Sequence, residues 1–152
     1  MEKRQVKIGI SAKQTDGMDE AAEPVVMNII SEAEITDDGE NIYIEYEEHL
    51  SEDGDITNSK LIFSKKNPAT VSLVREGEVT TSCSFTRGER CSCSYNIGGL
   101  ALDFVVATKT LKNTLTLDGG VIAMNYDMEV RGITMSKNEY KLTVIKNRAS
   151  AP

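Results

Sequence analysis

"VIAMNYDMEVRG", residues 121–132, alternates side-chain character along its length and then stops at Arg-Gly. Ile122, Met124, Tyr126, Met128 and Val130 fall on one side of an extended chain, and Ala123, Asn125, Asp127 and Glu129 on the other. Successive side chains of a strand point to opposite faces, so this period of two marks a strand with one wet face.

The same period recurs to either side. "LALDFVVAT" puts Leu100, Leu102, Phe104, Val106 and Thr108 together, "NIYIEYEE" does so for Ile42, Ile44 and Tyr46, and "VKIGISA" for Val6, Ile8, Ile10 and Ala12. Turn signals separate these runs: Asp16-Gly17, Asp38-Gly39, Asp53-Gly54, Asn67-Pro68, Glu76-Gly77, Arg87-Gly88, Gly98-Gly99, Asp118-Gly119 and Arg131-Gly132. Glycine accepts the positive φ that tight hairpins require. Strands are expected near 4–14, 25–36, 41–49, 58–65, 70–75, 78–86, 90–97, 100–111, 114–130 (with a turn at Asp118 able to split it) and 138–146. The best helical candidate, "MDEAAEPVVMNII", is interrupted by Pro24 and holds no 3.6 period.

Short turns join neighbours in space, so the chain should form an all-β, antiparallel up-and-down meander. That many strands must close or stack, because open edges invite aggregation. The expected architecture is a single β-barrel domain spanning residues 1–152, with about eight to ten strands.

The 152 residues carry a net charge of -7, which disfavours phosphate backbones and anionic membranes, so neither nucleic acid nor membrane is an expected partner. No apolar run approaches a membrane span. "MEKRQVKIGISAK" alternates and does not read as a signal peptide, so a cytoplasmic location and reduced cysteines are expected. The oligomeric state expected is a monomer or homodimer.

Cys83, Cys91 and Cys93 follow from register. Val79, Thr81, Cys83 and Phe85 form one apolar face, and Cys91, Cys93, Tyr95 and Ile97 the next. A three-residue loop, Arg87-Gly88-Glu89, pairs Cys83 with Cys93 and Phe85 with Cys91 and keeps both faces inward. Three thiols on one face could bind zinc or copper(I). However, the spacing is C-x-C, and the one histidine, His49, is distant in sequence. Buried cysteine commonly serves as a small hydrophobe, so no metal and no cofactor are expected.

"EYEEHLSEDGD" concentrates Glu45, Glu47, Glu48, Glu52, Asp53 and Asp55. A calcium loop starting at Asp53 needs glycine at its sixth position and glutamate at its twelfth, and this sequence has Asn58 and Ser64. A solvated hairpin tip is expected instead. Glu48 continues the face of Ile42, Ile44 and Tyr46, and Arg75 continues that of Val71 and Leu73, so the two can meet inside the barrel near its mouth. Such a pair can orient a polar ligand or simply close one end. There is no G-x-S-x-G, phosphate-cradling loop or H-E-x-x-H, and no carboxylate pair stands out, so an enzyme is not expected.

The series Tyr46 in "EYEE", Arg75 and Gly77 in "REG", Phe85, Gly88, Tyr95, Gly99, Leu100, Thr108 and Tyr126-Asp127-Met128 before Gly132 resembles the YwiB-like family of small bacterial proteins, a domain of unknown function. The resemblance spans nearly the whole chain, and the cysteines are not part of it. It implies a calycin-type, lipocalin-like barrel and no particular activity.

The expected inward set includes Tyr46, Leu73, Phe85, Tyr95, Leu102, Phe104, Met124, Tyr126 and Met128. Large side chains with a few phenols suit a pocket for a small, mostly apolar ligand, such as a fatty acid or similar amphiphile, with Glu48 and Arg75 at the mouth. The same residues can fill a solid core, and the protein would then be a structural or interaction module acting through its acidic rim or a sheet edge.

Overall fold

The computed structural model describes residues 1–49, 56–77 and 79–145. Ten antiparallel strands form: β1 (Glu2–Asp16), β2 (Val25–Asp37), β3 (Asn41–His49), β4 (Ile56–Ser64), β5 (Asn67–Glu76), β6 (Val79–Thr86), β7 (Arg90–Ile97), β8 (Leu100–Asn113), β9 (Val121–Val130) and β10 (Ile133–Ile145). Each pairs with its sequence neighbours, and β1 also pairs with β10, which closes the barrel. No helix is present among the described residues, and none is therefore long and apolar enough to cross a membrane. The acidic stretch 50–55, read as a hairpin tip, lies outside the described residues.

The alternation determines which side chains point inward. Ile8 and Ile10 of β1, Ala33 and Ile35 of β2, Ile42, Ile44 and Tyr46 of β3, and Leu61 and Phe63 of β4 are all buried, while the residues between them face outward. Fully burying one such aliphatic side chain contributes about 1.5–3 kcal/mol, and this face is the main source of stability.

Two boundaries differ from the sequence reading by more than three residues. Residues 114–120 are not strand: they fold back between β8 and β9 with a single bridge, Thr116 to Gly119. Leu115 enters the core and Leu117 packs against it, so this loop plugs the end of the barrel where β8 ends and β9 begins. Arg4 holds the plug from β1, donating to the Leu117 carbonyl at 3.2 Å and to the Asp118 carboxylate. The other difference is that β10 starts at Ile133, straight after a two-residue turn in which Arg131 and Gly132 have φ of 53° and 81°. Two positive φ values match the right-handed twist of the flanking strands and permit the tightest hairpin.

The register from β6 to β7 opposes Cys83 to Cys93, as the parity argument required. The expectation that all three thiols are reduced is overturned for these two. Direct opposition brings their Cα atoms to 4.4 Å, and the sulfurs are joined as a disulfide. Cys91 remains free and half-buried.

Candidate functional site

The barrel interior divides into an apolar half and a half-polar one. Toward the plugged end, Phe85 and Met124 are buried among aliphatic side chains, with the Phe85 ring 4.8 Å from that of Tyr126. Toward the opposite end, one rung of directly opposed residues runs across seven strand pairs: Val6, Ala33, Tyr46, Ser59, Arg75, Thr81, Tyr95 and Leu102. Its middle five members are polar. Antiparallel pairing places directly opposed residues on one face, so the five converge on the same space.

Glu48 and Thr57 form the next rung outward. The Glu48 side chain is 3% exposed, and its Oε1 accepts from Arg75 Nη2 at 3.4 Å. That is longer than the 2.7–2.9 Å usual for a charge-assisted bond, so the pair is loose. Ser59 Oγ and Arg75 Nε have no hydrogen-bond partner here, and the Tyr46 and Tyr140 hydroxyls lie beside one another, with Glu48 and Arg75 next to Tyr46, without a well-formed hydrogen bond; Thr108 Oγ1, opposite Tyr126 on β8, is also unpartnered but lies toward the plugged end. Tyr46 and Tyr140 come from β3 and β10, on either side of β1 and β2, and their phenols are close enough to influence one another electrostatically. Burial raises the pKa of both, as it does for Tyr95, and pushes Tyr126 up to about 12. All four are therefore neutral donors at physiological pH.

The facing arc, β6 to β9, is apolar and partly accessible. Tyr95, Phe104, Leu102 and Met128 point inward yet keep some exposure. The Tyr95 and Phe104 rings lie 5.0 Å apart, and the Tyr95 hydroxyl reaches Met128 Sδ at 3.9 Å. Beyond them Val79, Ile97 and Leu100 form the rim, and Leu100 is 61% exposed. This end is thus amphipathic, with a polar wall from β3, β4, β5 and β10 against an accessible apolar wall.

The named lining residues therefore separate. Tyr46, Glu48, Arg75, Tyr95, Phe104 and Tyr126 surround the half-polar end, whereas Phe85 and Met124 belong to the packed end. Ser59 and Tyr140 were not singled out from the sequence, and Thr81 and Thr108 were placed on inward faces without a role in the site. Their inward parity was the available signal, but a small hydroxyl in an alternating run reads equally well as a filler.

Two concavities lie on the outer surface. One of about 910 Å³ over β2 to β5 is bordered by Glu32, Glu34, Glu45, Glu47 and Glu76, with Ile30 and Ile62 among its lining. Another, of about 720 Å³, carries Lys13, Arg87, Lys109, Lys112 and Lys141. Among the described residues no group of histidine, cysteine, aspartate and glutamate could hold a metal ion.

Comparison with known proteins agrees with this architecture. Residues 8–142 match the profile of a domain of unknown function, DUF1934. The crystal structure of the ywiB protein from Bacillus subtilis is similar in fold, with a TM-score of 0.79 over 95% of this chain and 93% of that one, at 17% sequence identity. No curated protein matches the sequence.

Proposed function

The chain belongs to the DUF1934 family of domains of unknown function, and from that premise we propose that it is a binding protein, not an enzyme, whose barrel takes a small amphiphilic molecule at the end opposite the plug. The observation that carries this reading is the set of buried polar atoms without a well-formed hydrogen bond, the Tyr46, Tyr140 and Ser59 hydroxyls and Arg75 Nε, gathered around one loose ion pair. Buried polar groups are almost always hydrogen-bonded, and each one left without a partner costs about 1–3 kcal/mol. A molecule with two or more polar oxygens would satisfy several of them at once. Its apolar part would lie along Tyr95, Leu102, Phe104 and Met128, which face inward and are still partly accessible. The calycin-like character suggested by the sequence fits such a use, since closed barrels of this size can enclose a ligand.

The deciding experiment compares stability with binding. Tyr46→Phe with Ser59→Ala removes two buried hydroxyls that lack a well-formed hydrogen bond, so the fold should hold or gain stability in urea melts. Binding of an uncharged, environment-sensitive dye such as Nile red should weaken. If the double variant binds the dye as the parent does, the hydroxyls are structural and the reading fails.

A second reading draws on the acidic outer groove over β2 to β5. Glu34 and Glu45 are directly opposed there, a like-charge pairing that costs stability. Each already has a cation or amide partner: Gln5 and Lys3 serve Glu34, and Lys60 serves Glu45. The groove therefore demands a ligand less than the interior does.

A further inference from the structure

The charges inside the half-polar end decide what kind of head group it can take. This inference rests on the binding reading above and narrows it. Arg75 stands on the inner rung that holds Tyr46, Ser59 and Tyr95, and Glu48 on the next rung outward, opposite Thr57. Their formal charges cancel, and Glu48 is almost completely removed from water. A carboxylate or phosphate entering beside them would leave a net negative charge in a poorly solvated space, which is costly unless a further cation answers it. Arg75 is already engaged by Glu48 through Nη2. The other polar groups around it, the Tyr46, Tyr140 and Ser59 hydroxyls, are neutral and lack a well-formed hydrogen bond, and a hydroxyl can both donate and accept.

We infer that this end of the barrel selects an amphiphile whose polar end is uncharged and rich in hydroxyl or carbonyl oxygens, and that Glu48 is the residue that excludes the anionic counterpart. Glu48 is a specificity determinant in this scheme: it keeps Arg75 from acting as a carboxylate receptor, while Arg75 Nε and the Tyr46, Tyr140 and Ser59 hydroxyls hold the neutral head. The apolar rim of Val79, Ile97 and Leu100 is where the tail enters, since these inward positions carry no charge and are the most accessible part of the interior.

The test is competition against Nile red bound to the native protein at neutral pH. Monolaurin and lauryl alcohol present neutral heads, and laurate has the same chain length with an anionic head. The neutral compounds should displace the dye at least about tenfold more tightly than laurate, a difference of about 1.4 kcal/mol. In Glu48→Gln the order should shift, with laurate gaining about tenfold or more and monolaurin changing little. Laurate competing as well as monolaurin on the native protein would overturn the inference and leave the binding reading intact. If Nile red binds but no amphiphile displaces it, or if the dye does not bind, the binding reading fails and this inference with it. The comparison on the native protein does not depend on whether Glu48→Gln folds.

Discussion

Glu48 Oε1 and Arg75 Nη2 meet at 3.4 Å inside the barrel, carried there by β3 and β5 with β4 between them. Removing either partner leaves the other charge buried without compensation. Glu48→Gln and Arg75→Met should each lower stability by about 3 kcal/mol, the lower end for a broken buried pair, because Arg75 keeps partial access to water. The double variant should recover most of the loss. Urea denaturation of the three variants checks this, and additive losses would show that the pair does not couple.

Alkaline titration tests the buried tyrosines. The phenol of Tyr126 is raised to about 12, and those of Tyr46, Tyr95 and Tyr140 are raised as well, by burial first of all. In the unfolded chain all four ionise near the ordinary tyrosine value of about 10. The folded state thus holds the proton more tightly, so stability is intact below pH ~10 and falls as pH rises toward about 12. Urea melts across this range should show the decline, and Tyr126→Phe should make it shallower. A tyrosinate absorbance titration that shows all the tyrosines of the native protein ionising near the unfolded value would refute the burial.

The sulfur pair has a simple readout. Unfolding without reductant should expose one reactive thiol, that of Cys91, and unfolding with reductant should expose three. The bond between Cys83 and Cys93 closes a short loop, with a sequence separation of 10. Its loss should cost at most about 3 kcal/mol. Three thiols in the non-reduced protein would return the pair to the role of small core side chains.

The plug makes a local demand on the backbone. Gly120 has φ of 129°, and a Cβ there would collide with the Thr114 carbonyl and the Leu115 backbone. Gly120→Ala should therefore destabilise more than an exposed glycine substitution such as Gly39→Ala. Leu115→Ala should cost about 2–5 kcal/mol as a core truncation. Equal melting temperatures for Gly120→Ala and Gly39→Ala would mean the loop does not seat as described.

Strand parity can be checked on β9. Tyr126 stacks edge-on against Phe85 inside, whereas Asp127 faces outward and pairs with Lys109 at 3.2 Å. Tyr126→Ala should cost about 3–5 kcal/mol, and Asp127→Ala no more than about 1 kcal/mol.

The strands were legible because each carries one apolar face, and parity alone placed Tyr46, Glu48, Arg75 and Tyr126 inside. Parity fails where the backbone adds a residue. A bulge in β8 between Thr108 and Thr110 lets Thr108 and Leu111 both face inward. The run 114–120 looked like a continuation of β9 because Leu115 and Leu117 keep a two-residue spacing while packing from a loop. The meeting of Tyr46 with Tyr140 depends on closure between β1 and β10, and no local pattern encodes a contact between segments so far apart. The disulfide was missed for a different reason: opposition of two cysteines follows from register, but oxidation was judged from the expected compartment.

Nine of the ten strand pairings join neighbours in the chain, and the tenth, β1 with β10, joins its two ends, as in Lys7 opposite Ile145. During synthesis each hairpin can therefore form as it emerges, but β1 has only β2 to pair with until β10 has been made. Bringing segments that distant together carries the largest loop entropy of any step in the fold. Until that seam closes, both outer strands present unsatisfied amides and carbonyls along one side. The interval between emergence of β2 and release of β10 is thus when the chain is most exposed to pairing with another copy of itself.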